Sequence, residues 1–145
     1  MISEEEFLSF LQERPSTKGY AIELAENVLE NWQSAEELPV IYIGYATFDS
    51  KFPNQPIEST IFNKHGENIV QTFEIHIVCA NADFKTIWVD IYEALIGQNP
   101  APSEKQHTGF TYAQGGKMGR SNGKLWNVDL WRIGFPTNKQ LYYLQ

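Results

Sequence analysis

The chain has 145 residues and a formal net charge of −7, with 42% hydrophobic and 14% aromatic residues. That length suits one domain rather than two, and the apolar content supports a packed core rather than a disordered chain. The acidic balance argues against general binding to nucleic-acid phosphates, though it suits a surface past which DNA moves without sticking.

The chain begins MISEEEF, an acidic start without the basic residues of a signal peptide. No apolar run approaches the roughly 18–20 residues that span a bilayer. A soluble chain made in the cytoplasm, with no membrane partner, is therefore expected. Ser3 and Glu6 have the spacing of a capping box, and Glu4, Glu5 and Glu6 suit the positive end of a helix. Phe7, Leu8 and Leu11 share one face before Pro15 stops the helix. Ala21, Leu24, Ala25, Val28, Leu29 and Trp32 recur at helical spacing and predict a second helix over about 18–33.

Pro39 opens VIYIGYATF, whose β-branched and aromatic residues predict a strand. FPNQP at 52–56 reads as a loop. Strands are expected at 57–62 and 69–80, joined by the turn NKHGEN. In the longer one, Phe73, Ile75, Ile77 and Cys79 point one way, and Thr72, Glu74, His76 and Val78 the other. A helix follows over 83–96. Asn81 is its expected cap, and Phe84, Ile87, Trp88, Ile91 and Leu95 form its apolar stripe. Gly97 is placed to end it in a left-handed conformation.

The last third reads as a hairpin with arms at 109–113 and 124–135. In the second arm Trp126, Val128 and Leu130 alternate with Asn127, Asp129 and Trp131. Between the arms lies a glycine-rich, basic stretch, expected to be a long flexible tip. The order α-α-β-β-β-α-β-β predicts an α+β fold: an antiparallel or mixed sheet flanked by helices. It forms a single domain over 1–145, with N-terminal helices in 1–38, the α+β core in 39–136 and a tail in 137–145.

The stretch YAQGGKMGRSNGKLW at 112–126 raises the question of a phosphate loop. A P-loop ending at Gly123 and Lys124 needs glycine at Met118 and a hydroxyl residue at Leu125; one ending at Gly116 and Lys117 needs glycine at Thr111. A strand, not a helix, follows, so no helix N-terminus faces a phosphate. Glu74, His76 and Asp129 share a face if their strands lie in one sheet, yet no HExxH or paired-histidine spacing supports a metal site. His65 falls in a turn and His107 in a Pro-rich loop. A solvated or subunit-facing sheet surface is the expected role of those polar residues. Cys79, the one cysteine, excludes an internal disulfide, fits a reducing compartment and reads as a small buried hydrophobe. No nucleophile–base set meets the requirements of an active site, so no catalytic residue and no cofactor is expected. Trp131 falls on the polar side of its strand. With Tyr142 and Tyr143 of the tail, it is either a contact anchor or folded back on its own domain.

FEIHIVCANADFKTIWVDIYEALIG, GFTYAQGGKMGRSNGKLWNVDLWRIGFP and PVIYIGYATF together resemble the strand–helix core, C-terminal hairpin and first strand of phage tail terminator proteins. That tail-completion family of long-tailed phages includes the minor tail protein U of lambda-like phages. The resemblance covers about 39–136. It implies a virion protein, assembled in the host cytoplasm, that caps the head-proximal end of the tail tube. Six copies would form a homo-oligomeric ring that stops tube polymerisation and joins the neck or head–tail connector protein. The tail tube protein is then a partner, the tail sheath protein is another in contractile tails, and DNA passes through the bore without specific binding. The alternatives are a neck or head-completion ring protein, or a small ligand-binding or regulatory α+β domain. Residues 113–124 are expected to act as an assembly loop. The interface candidates are Lys117, Met118, Arg120, Lys124, Glu74, His76, Asp129, Trp131 and Arg132.

Overall fold

The computed structural model describes residues 2–25, 32, 37–46, 60–62, 68–100 and 109–136. Helix α1 spans Glu4–Glu13 and is started by the expected capping box. Ser3 Oγ accepts from the Glu6 backbone N–H at 3.0 Å, and the Glu6 carboxylate accepts from the Ser3 N–H at 3.3 Å. Arg14 is already extended, as the residue before Pro15 must tend to be. Ahead of the helix, the Gln71 side chain clamps Ile2 through two hydrogen bonds, to its N–H at 2.8 Å and its carbonyl at 3.0 Å.

The second helix expected at 18–33 is corrected. Ala21–Leu24 forms a strand, β1, in which Ile22 is buried and Leu24 half-buried while Ala21 and Glu23 are exposed. That alternation has period two, and pairing with a neighbouring strand overrides the helical spacing. Most of the remainder of that stretch lies outside the described residues. So do the loop at 52–56, the turn holding His65, the segment holding His107, and the tail with Tyr142 and Tyr143.

The other strands are β2 (Val40–Tyr45), β3 (Thr60–Phe62), β4 (Asn68–Ala80), β5 (Phe110–Ser121) and β6 (Lys124–Pro136), with helix α2 (Phe84–Leu95) between β4 and β5. They make one six-stranded sheet in the order β1-β2-β4-β6-β5, with β3 also on β4. β1 runs parallel to β2 and the other pairings are antiparallel, so the sheet is mixed and the fold is α+β. β4 and β6 pair along their whole length, from Asn68 opposite Pro136 to Ala80 opposite Lys124.

Both helices pack on the face carrying Phe73, Ile75, Ile77 and Cys79. Phe7 of α1 meets Phe73 and Phe110 with ring centroids 4.4 and 5.1 Å away. Ile87, Ile91, Ala94 and Leu95 of α2 complete this core. A short 3-10 turn at Asn81–Asp83 precedes α2, so the cap position falls to Asp83 instead of the expected Asn81, and Asp83 makes no side-chain cap hydrogen bond. Gly97 ends α2 at φ 70°, as expected.

The long flexible tip is also corrected. β5 continues through it to Ser121, and only Asn122 and Gly123 turn the chain, with φ of 51° and 79°. Two positive φ angles in a two-residue loop match the twist of the flanking strands. β5 absorbs its extra length in two bulges, between Tyr112 and Gln114 and between Gly115 and Met118. Its glycines leave room for neighbours. A Cβ at Gly115 would stand 2.6 Å from the Tyr112 hydroxyl, and one at Gly119 would stand 2.9 Å from the Trp32 ring.

Where α2 hands over to β5, Gly97 N–H donates to the Phe110 carbonyl and Phe110 N–H to the Gln98 carbonyl. Gly109 sits there at φ 82°, and a Cβ on it would lie 2.6 Å from the Gly97 carbonyl oxygen. Gly109→Ala is therefore expected to destabilise the fold by about 3 kcal/mol, from backbone strain plus overpacking. Gly19→Ala, with open space around it, serves as the neutral control. Thermal melts check this, and equal melting of both variants would contradict the tight junction.

Candidate functional site

The interface candidates divide between the two faces of the central strands and the edge of the sheet. Antiparallel register places opposed residues on the same face. Ile75 faces Asp129, while Glu74 faces Leu130 and His76 faces Val128. Asp129 therefore lies on the helix-covered face, and Glu74 and His76 lie on the other. The expectation that the three share a face is corrected, and they cannot converge on one ion.

Asp129 is 3% exposed. Its Oδ1 accepts from the Tyr112 hydroxyl at 3.2 Å, and its Oδ2 accepts from the Trp88 indole at 3.1 Å and the Asn127 amide at 2.8 Å. One carboxylate thus ties α2, β5 and β6 together. Burial raises its pKa from 3.8 to about 6, and the three donors work against that rise. Burial, and then the nearby Asp129 charge, pushes the Tyr112 hydroxyl up to about 12.

On the opposite face His76 is fully buried. The Trp126 indole, which can only donate, gives its N–H to His76 Nδ1 at 2.9 Å. The remaining proton therefore sits on Nε2, which is 3.1 Å from Glu74 Oε1 and donates to it. The two rings stack, 14° from parallel with centroids 5.9 Å apart. With both nitrogens engaged, His76 in this arrangement has no lone pair to offer a substrate or a metal. Glu74, at 7% exposure, is enclosed beside it.

The solvated sheet surface expected for these residues is thus corrected: each polar group is buried against a partner that the alternation pattern did not reveal. Of the two readings of Trp131, the structure has it folded back on its own domain: it is 1% exposed and packs on Tyr92 and Tyr112. Arg132 is half-buried opposite Thr72. Lys124 is half-buried at the start of β6 and Arg120 is exposed on β5. Lys117 and Met118 lie in β5, beside its second bulge. Burial pushes the Cys79 thiol up to about 11, far from the range of a reactive thiolate.

Composition gave no hint of one further feature. The exposed large hydrophobics among the described residues are Val89, Tyr92, Ile96 and Tyr112. Val89 and Tyr92 are on α2, Ile96 directly follows it and Tyr112 is on β5. Trp88 stacks on Tyr92 at 5.3 Å and meets Tyr112 edge-on at 5.7 Å. This aromatic cluster lies where α2 overhangs β5. Spacing could have revealed it, since 89, 92 and 96 recur at three and four residues, off the buried stripe.

Compared with known proteins, the chain matches no family model and no curated protein.

The Asp129 network has a pH signature. Its folded pKa lies above its unfolded one, so between about pH 4 and 6 the folded chain binds more protons than the unfolded chain. Its contribution to stability is greatest at the acid end and falls by about 3 kcal/mol as pH rises through 6. Asp129→Asn can keep the geometry: the amide oxygen accepts from Trp88 and Asn127 while its N–H donates to the Tyr112 oxygen. That variant is expected to lose this slope and to be at least as stable as wild type at pH 7.5. Asp129→Ala strands three donors and should be less stable by about 3 kcal/mol. Urea unfolding at pH 4.5 and 7.5 measures both; parallel pH profiles for wild type and Asp129→Asn would contradict the assignment.

Proposed function

We propose that this chain is a structural virion protein of the tail terminator kind. In this reading it forms a ring on the head-proximal end of a phage tail tube, stops tube polymerisation and presents the surface to which the neck joins. The ring is a homo-oligomer, hexameric by resemblance. It meets the tail tube protein on one side and the connector on the other, and also the sheath protein where the tail is contractile. DNA passes through its bore, and the chain itself performs no catalytic step.

One observation carries the reading. The three segments that resemble the family correspond to β2, to β4 with α2, and to β5 with β6. These strands are consecutive across the sheet, in the order β2-β4-β6-β5, and α2 packs on one face of them. The resemblance therefore traces one contiguous structural unit, not fragments scattered through the chain. An acidic chain, at −7 overall, suits a bore through which DNA slides.

Two measurements test this. A label on the protein in its native source should appear at the head-proximal end of tail tubes in purified particles. A label confined to soluble fractions would overturn the reading, and a label in the neck layer would replace it with the neck-ring alternative. Added to polymerising tube protein, the purified chain should halt elongation; tubes that grow at an unchanged rate would count against a terminator.

A further inference from the structure

Thr72 breaks the rule that Glu74, His76 and Asp129 follow. It is 1% exposed, yet its hydroxyl oxygen has no hydrogen-bond partner. A buried hydroxyl left unpaired is destabilising, and native folds keep few of them. Thr72 lies on the sheet face away from the helices, directly opposite Arg132 of β6. Arg132 is half-buried and its Nε is enclosed without an acceptor. Among the described residues its guanidinium has no ion-pair partner. Thr111 of β5 stands opposite Arg132 in turn.

One row along the sheet, Glu74 faces Leu130, and Leu130 faces Gln114 of β5. The Gln114 side-chain oxygen is also buried and unpaired. Among the described residues four buried side-chain atoms lack a partner, and three of them fall on this patch of one face. The fourth, Arg14 Nε, is elsewhere, at the end of α1, with its guanidinium over the Phe10 ring. Opposed side chains are roughly 5 Å apart at Cβ and diagonal ones roughly 7–8 Å, a spacing that arginine and glutamine span. Burial falls along the row, from enclosed Thr72 through half-buried Arg132 to exposed Thr111, so the enclosed end is reached from the β5 side.

We propose that Thr72, Arg132 and Gln114 form a binding site for a small monocarboxylate. A guanidinium takes a carboxylate through paired N–H donors, and the Thr72 hydroxyl supplies one more. The Gln114 amide closes the β5 side: turned over about its last bond, it presents its NH2 where its oxygen now stands. Arg132 brings one positive charge, and the acid Glu74 lies one row away, so a singly charged oxyanion fits and a dianion is disfavoured. The site belongs to the single chain. The ring reading neither requires it nor falls with it.

Acetate is the probe, titrated into the full chain against chloride at matched ionic strength. Two readouts are taken: thermal melts, and the NMR signal of the Arg132 Nε–H, identified by its loss in Arg132→Lys. In wild type that signal should shift saturably with acetate, and Tm should rise with acetate but not with chloride. Thr72→Val removes the unpaired hydroxyl at constant shape. It should melt about 2 °C or more above wild type in chloride, yet bind acetate about tenfold more weakly. Thr72→Ser keeps the hydroxyl and should keep the acetate response. Arg132→Lys loses the planar fork and should bind about tenfold more weakly or worse. A wild-type signal that does not saturate, or acetate and chloride acting alike on Tm, would overturn the site. So would a Thr72→Val that melts below wild type in chloride, because the hydroxyl would then have a partner within the fold. Phosphate binding more tightly than acetate would overturn the monocarboxylate assignment.

Discussion

The pairing of β4 with β6 is the constraint on which the rest of this molecule depends. Every residue from Asn68 to Ala80 has an opposite number between Pro136 and Lys124. From Gln71 to Cys79 and from Leu125 to Gly134 the pair is buried almost throughout, on both faces. A sheet centre covered on both sides tolerates polar side chains only where each finds a partner. Asp129 and Asn127 on the helix-covered face and Glu74 and His76 on the other meet that condition through Trp88, Tyr112 and Trp126. A one-residue slip between β4 and β6 would put His76 and Trp126 on opposite faces and break the contact between them. The polar networks therefore specify register as much as they add stability.

Much of the fold was legible because its signals are local. The capping box at Ser3 and Glu6, the stripe from Phe84 to Leu95 and the glycine at 97 are each readable within a few residues, and the structure has all three. The alternation in β4 was also legible, but its meaning was not. Alternating polar and apolar residues ordinarily mark one wet face. Here Glu74 and His76 are dry, because they bond each other and His76 also takes the indole N–H of Trp126 from β6, distant in sequence. Trp126 is fifty positions from His76, and that separation leaves no mark on either segment.

Two errors have more specific causes. Ala21 to Trp32 carries a plausible helical spacing, but Ile22 and Leu24 also alternate, and the open edge of β2 selected the strand. By composition the glycines at 115 and 119 suggest flexibility. They are places where Tyr112 and Trp32 lie over the strand. The dipeptide Asn122-Gly123, the strongest short hairpin signal in the chain, was present within the supposed tip. The site candidates chosen from that tip retain Arg120 as an exposed charge, whereas those chosen for polarity on strands lie inside the chain's own packing.

That two-residue turn has a consequence for how the sheet can be assembled in time. β5 and β6 become neighbours by closing the smallest loop a hairpin allows, whereas β4 meets β6 only after α2 and all of β5 have been synthesised. Loop-closure entropy rises with the length enclosed, so the ribbon is the less expensive pairing to form by far. Hairpins close in about 1–10 μs, and non-local strand pairing is slower. A β6 already zipped to β5 presents a single straight edge of about the length of β4, and the long central pairing then closes one large loop against a prepared template instead of two free strands.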